Sequence, residues 1–174
     1  MASRLKIFLI LIFSTFFIFS QNSPIKIDVK VIPEKFYEDQ TPVITISVSY
    51  ENNYMLNYYP SLTIKIKNLP DFISVSKEEF SVDDFSPEIV EVNSIKFIKE
   101  NSLFKIPLSI TKSPKKYGKY EFIVEIKGYY TDLKKMISFN FEDIKKINFK
   151  IIKKRRRRKK WLKKFKQKKT LKNL

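Results

Sequence analysis

The residues of this chain whose types and spacing could do chemistry stand near its C-terminus. Lys153-Lys154-Arg155-Arg156-Arg157-Arg158-Lys159-Lys160 is an unbroken run of cations, followed by Trp161, Lys163, Lys164 and Phe165. Its chemistry is electrostatic. Fixed cations attract phosphates and carboxylates, and Arg adds a planar fork of donors that fits either anion. Trp161, Leu162 and Phe165 fall at i, i+1 and i+4, a small apolar face on a helix, and Trp suits a membrane interface. Residues 145–174 hold 17 Lys/Arg and no Asp or Glu, whereas the first 144 residues balance 18 Lys/Arg against 18 Asp/Glu. The formal net charge of +17 is therefore the property of a tail. We take Lys153, Lys154, Arg155, Arg156, Arg157, Arg158, Lys159, Lys160, Trp161, Lys163, Lys164 and Phe165 as the candidate anion-binding residues.

Other chemistry is sparse. The chain has no Cys and no His. This excludes thiolate nucleophiles, disulfides, a Ser-His-Asp relay and any metal site built on imidazole or thiolate. Carboxylates gather at Glu78-Glu79, Asp83-Asp84 and Glu88. Hard cations need several such oxygens, but the spacing matches no calcium loop, so we expect a solvated acidic loop and no metal or cofactor. Tyr50, Tyr54, Met55, Leu56, Tyr58 and Tyr59 form an aromatic cluster. Aromatic side chains bury large areas wherever they can, so this cluster is expected to cap the core. Nothing in the pattern places a catalytic pair, and the chain reads as non-catalytic.

The elements that must position the cations begin with a leader. In residues 1–20, Arg4 and Lys6 precede an apolar stretch from Ile7 to Phe19, and Ser20 is a small residue at a plausible cleavage point. This reads as a secretory signal, or else an uncleaved anchor. Either places the following domain outside the cytoplasm, in the periplasm or at the cell envelope.

Residues 21–144 alternate apolar and polar side chains in short runs. Ile25 to Val31, Ile44 to Tyr50, Leu62 to Lys67, Phe104 to Ile110 and Tyr120 to Lys127 each show it, with turn residues between. A strand of period two buries one face. Phe72 to Ser76 is a short strand, Ile89 to Ile98 a strand broken near Asn93-Ser94, and the last strand runs from about Lys135 to Glu142. Glu51 to Pro60 and Lys77 to Pro87 read as loops. Pro107 suggests an edge position, since proline cannot donate to a ladder. Seven or eight short strands with turns about every ten residues predict an all-β, immunoglobulin-like antiparallel β-sandwich. Residues 145–174 then form a polybasic tail, disordered or helical, because like charges at i and i+4 oppose a helix in water.

Lys119-Tyr120-Glu121-Phe122-Ile123-Val124-Glu125-Ile126-Lys127-Gly128-Tyr129-Tyr130 is similar to a strand of the amino-terminal domain of the disulfide reductase DsbD. The redox cysteines of that family would fall between Thr131 and Met136, and neither is present, so its activity does not carry over. Asn68-Leu69-Pro70-Asp71-Phe72-Ile73-Ser74-Val75, and Leu103 to Leu108 with Lys116 to Tyr120, resemble segments of the exported domains of the BatD-type aerotolerance family. Both resemblances imply an extracytoplasmic immunoglobulin-like domain.

The expected function is a binding or structural module of the bacterial cell envelope, with the tail docked on an anionic membrane surface or an acidic envelope protein. The alternatives are nucleic-acid binding through the basic tail, and a cysteine-less accessory role in a redox or Bat-type system. The leader weighs against nucleic acid, because the tail follows an exported domain.

Overall fold

The computed structural model describes residues 23–154, and these are almost wholly strand and turn. The leader (residues 1–20) and the cations from Arg155 onward lie outside the described residues. Thirteen strands follow one another: β1 (Ile25–Ile32), β2 (Lys35–Tyr37), β3 (Val43–Tyr50), β4 (Tyr54–Asn57), β5 (Thr63–Lys67), β6 (Ile73–Ser74), β7 (Glu79–Ser81), β8 (Ile89–Val92), β9 (Ile95–Ile98), β10 (Leu103–Pro107), β11 (Ser109–Ile110), β12 (Gly118–Asp132) and β13 (Ile137–Ile152).

Alternation explains which faces meet. Ile25, Ile27, Val29 and Val31 of β1, Ile44, Ile46 and Val48 of β3, and Phe104 and Ile106 of β10 are buried, with partly or fully exposed residues between them. These strands form one antiparallel sheet in the order β1-β3-β10. Opposite it lie β5, β12 and β13, whose inward residues are Ile64, Ile66, Phe122, Val124, Ile126, Ile147, Phe149 and Ile151. All of them belong to one apolar cluster, so two sheets close on one core, as in a β-sandwich. The partition of the main strands matches that of immunoglobulin domains, with the first, second and fifth facing the third, sixth and seventh. After β1 the chain crosses at Pro33 to the other sheet, where β2 runs parallel to the end of β13. Pro107 does end an edge strand, β10.

β12 and β13 form a hairpin of unbroken register, from Gly118↔Ile151 to Asp132↔Ile137. It is longer than the sandwich needs. The first part of β12 pairs with β5, and its end pairs with β4, which continues through β9 to β8. Gly128 sits at the changeover. A Cβ there would stand 3.0 Å from the side chains of both Leu62 and Phe141, so any larger residue would have to displace both. A small polar knot ties the overhang together: Thr131 donates to Asn57 at 2.7 Å and shares a 2.8 Å hydrogen bond with Ser138.

Several expectations need correction. The last strand does not stop at Glu142 but runs to Ile152, so the boundary at residue 145 falls inside β13. Ile147, Phe149 and Ile151 point into the core, and Lys146, Asn148 and Lys150 point out, so the segment buries apolar area while its charges stay wet. The loop expected over Glu51 to Pro60 contains β4, because Leu56 is fully buried and the strand pairs with β12. The acidic segment contains β7 and a short 3-10 turn, Val82–Asp84, anchored by buried Phe80 and Val82. The break at Asn93-Ser94 is the turn of the β8–β9 hairpin; both residues have positive φ, 51° and 63°, as a type I′ turn requires.

Candidate anion-binding site

The basic run leaves the sandwich from a fixed point. At the end of β13, Lys150 donates its N–H to the carbonyl of Glu34 at 2.9 Å, and Ile151 and Ile152 lie beside Phe36 and Tyr37. Phe149 stacks on Phe36 with ring centroids 5.5 Å apart and on Tyr120 at 5.8 Å. The buried Phe36 and Phe149 rings and the half-buried Tyr120 hold the strand end where Lys153 and Lys154 emerge.

Lys153 and Lys154 are the two candidate residues that the structure describes. The Lys153 ammonium sits over the Tyr117 ring, 5.8 Å from its centroid, a cation–π contact. The Tyr117 hydroxyl in turn donates to Glu38 at 2.9 Å, and that carboxylate raises the phenol's pKa by favouring its protonated form. Lys154 forms an ion pair with Asp39. Its hydrogen bond holds the Asp39 carboxyl below the usual range and raises the Lys154 ammonium above its own. Asp39 follows β2, and Tyr117 precedes β12. The two strands that flank the end of β13 thus supply one contact each to the root of the tail. Arg155, Arg156, Arg157, Arg158, Lys159, Lys160, Trp161, Lys163, Lys164 and Phe165 lie beyond the described residues. Ile151, two residues before Lys153, is buried in the core.

Many of the remaining carboxylates of the sandwich pair with lysines. On the outer face of β12, Glu125 is bracketed by Lys67 and by Lys127, the latter at 2.9 Å, and Lys127 also reaches Glu142 at 3.3 Å. The hydrogen bonds from Lys67 and then Lys127 pull the Glu125 carboxyl down to about 2, against a smaller opposing effect of burial. The acidic cluster is dispersed rather than gathered. Glu79 pairs with Lys65 at 3.2 Å, Asp84 with Lys77 at 2.5 Å, Glu88 with Lys99 at 2.5 Å, and Asp83 accepts from the Tyr58 hydroxyl at 2.5 Å. Among the described residues no group of three carboxylates is placed to hold a metal ion. The aromatic cluster divides: Leu56 is buried, Tyr50 and Tyr58 pack on the core, Tyr54 meets Tyr130 edge-on, and Tyr59 is exposed.

Sequence reasoning did not find Asp39, Glu38 and Tyr117 as partners of the tail's root. The one available signal was the acidic pair Glu38-Asp39 in a polar turn, and nothing local connects it to residues more than a hundred positions away.

No family model and no curated protein matches the chain. Among solved structures it is similar to a protein of unknown function from Porphyromonas gingivalis W83, at 12% identity and a TM-score of 0.38. That match covers 76% of this chain and 50% of the other, so the chain spans half the length of its neighbour.

Proposed function

We propose that this chain is an exported, non-catalytic module of the cell envelope whose C-terminal cations dock it onto an anionic membrane surface. One observation carries the reading: charge is segregated. Among the described residues, thirteen ion pairs join twelve of the lysines to carboxylates of the sandwich, that of Lys154 with Asp39 among them. Residues 155–174, by contrast, carry 12 Lys/Arg and no carboxylate side chain. Lys153 and Lys154 are steered by Tyr117 and Asp39, so this excess starts from one end of the sandwich.

Each Lys or Arg near an anionic bilayer contributes up to ~1 kcal/mol. Summed over the tail, even a fraction of that exceeds what a single acyl chain provides. Trp161 and Phe165 suit the headgroup layer. The apolar leader supports the extracytoplasmic setting. In this reading the tail is the address and the sandwich is the cargo.

The test is co-sedimentation of the full chain, and of a chain ending at Lys154, with vesicles of phosphatidylglycerol and phosphatidylcholine. The full chain is expected to bind the anionic vesicles, to release as salt rises, and to ignore the neutral ones. Equal partition of the two chains would overturn the tail's role. Tighter binding to nucleic acid than to vesicles at the same salt would move the reading to the nucleic-acid alternative.

A further inference from the structure

The far end of the β12–β13 hairpin overhangs the sandwich, and four large side chains there face solvent. Tyr129, Met136, Ile137 and Phe139 are each between 40% and 49% exposed. They do not share a face. Phe139 stands across from Tyr130 and stacks on it with ring centroids 5.5 Å apart, and Ile137 lies on the same side by alternation. Tyr129 stands across from Asn140, on the other side. Met136 belongs to the turn that joins the two strands. Apolar surface therefore wraps the tip instead of covering one side of it.

The turn itself leaves none of its N–H groups free. Leu133 donates to the carbonyl of Asn53 at 2.8 Å, and Met136 to the carbonyl of Asp132 at 2.7 Å. Lys134 and Lys135 both donate their backbone N–H to the Asp132 carboxylate, at 2.9 and 3.2 Å. The Asp132 side chain is only 9% exposed, so the one acidic group between Tyr129 and Asn140 is turned inward. The lysine side chains, by contrast, face out. Lys134 is exposed and, among the described residues, pairs with no carboxylate; Lys135 lies 4.0 Å from Asp132 and stays 69% exposed.

We propose that this tip is a second membrane contact, a wedge that inserts shallowly into an anionic bilayer; the inference rests on the membrane setting proposed above. A protein partner would lie against one face of the overhang and leave the other wet, whereas lipid surrounds what enters it. A turn that enters a bilayer must satisfy its N–H groups from within, which a turn in water need not do. Lys134 and Lys135 complement anionic headgroups, and their long stems let the ammonium groups stay at that level while the apolar residues go deeper. Tyr129 suits the interface behind them. From Met136 to Phe139 is about 10 Å at ~3.3 Å per residue, matching the ~5–10 Å depth of interfacial segments. The tip and the root of the tail stand at opposite ends of the hairpin, about 50 Å apart at ~3.3 Å per residue. Residues 155–174 can span up to about 70 Å. Both can therefore meet one bilayer, and once the tail has landed the tip binds at a high effective concentration.

The test is binding of the full chain to phosphatidylglycerol vesicles with a reporter at the tip. Ile137→Trp combined with Trp161→Phe makes the tip residue the chain's single tryptophan. Its emission is expected to shift to the blue on bound chain and to be quenched by lipids brominated on the acyl chain. Met136→Asn combined with Ile137→Thr removes apolar area without changing charge. Asn suits the positive φ of 54° at position 136, and Thr suits a strand. This double variant is expected to keep the wild-type melt by circular dichroism and to bind the vesicles about tenfold more weakly. An unquenched tip tryptophan on bound chain, or wild-type binding by the folded double variant, would overturn insertion of the tip and leave the tail's docking standing. A quenched tip with equal binding by the chain ending at Lys154 would do the reverse. Sedimentation without lipid closes the remaining route: an oligomer that the double variant dissolves would assign the tip to a contact between copies and overturn the proposal.

Discussion

Lys154 closes an ion pair with Asp39, 115 residues earlier in the chain, at the point where the basic run leaves the sandwich. Both side chains are at least half exposed, so the pair holds Lys154 at the root of the tail and adds little to the stability of the fold. The Asp39 carboxyl is lowered and the Lys154 ammonium raised. The carboxyl's contribution is therefore present above its unfolded value and lost as pH falls through the lowered one. The ammonium's is present below its unfolded value and lost as pH rises through the raised one. The contact persists across the neutral range.

Asp39→Asn is expected to leave the melting temperature nearly unchanged at pH 7. The same variant removes one carboxylate beside the tail, so its binding to anionic vesicles should equal or slightly exceed that of the wild type. A clear loss of vesicle binding would show that the pair holds the tail in a geometry that docking needs.

Two truncations separate the strand from the tail. Ending the chain before Lys145 removes Ile147, Phe149 and Ile151, three core residues of β13. That chain should not fold, giving no cooperative melt by circular dichroism. Ending it at Lys154 keeps the whole strand and should preserve the wild-type melt. Phe149→Ala tests the same packing in the full chain. Phe149 is nearly fully buried against Phe36, Tyr120 and Phe122, so the loss should be about 3–5 kcal/mol in a denaturant titration.

This boundary shows what the sequence makes legible. Alternation in Ile25 to Val31 or Ile44 to Tyr50 reads directly as a one-sided strand, because nothing else competes with it. Ile147-Asn148-Phe149-Lys150-Ile151 alternates just as cleanly, but it follows Lys145-Lys146 and precedes the basic run, so charge hid the pattern. A strand tolerates cations at every second position if the others reach a core, and only the tertiary partner β12 reveals that they do. The partners of Lys153 and Lys154 were hidden for a related reason. They come from turns brought close by the sandwich topology, and neither local periodicity nor charge count records that. β4 was missed because its four residues pair through a long-range contact with β12 rather than through a turn of their own.

Glu125 gives the fold an acid limit. Its carboxyl is held at about 2 by Lys67 and Lys127, well below its unfolded value. A depressed carboxylate stabilises the folded state above the unfolded value, and that contribution drains away as pH falls toward 2. The wild-type melting temperature should therefore drop between about pH 5 and pH 2. Glu125→Gln should melt lower than the wild type at pH 7, because Lys67 and Lys127 lose their shared anion. Its pH profile over the acid range should be flatter. Parallel profiles for the two proteins would show that other carboxylates set the acid limit.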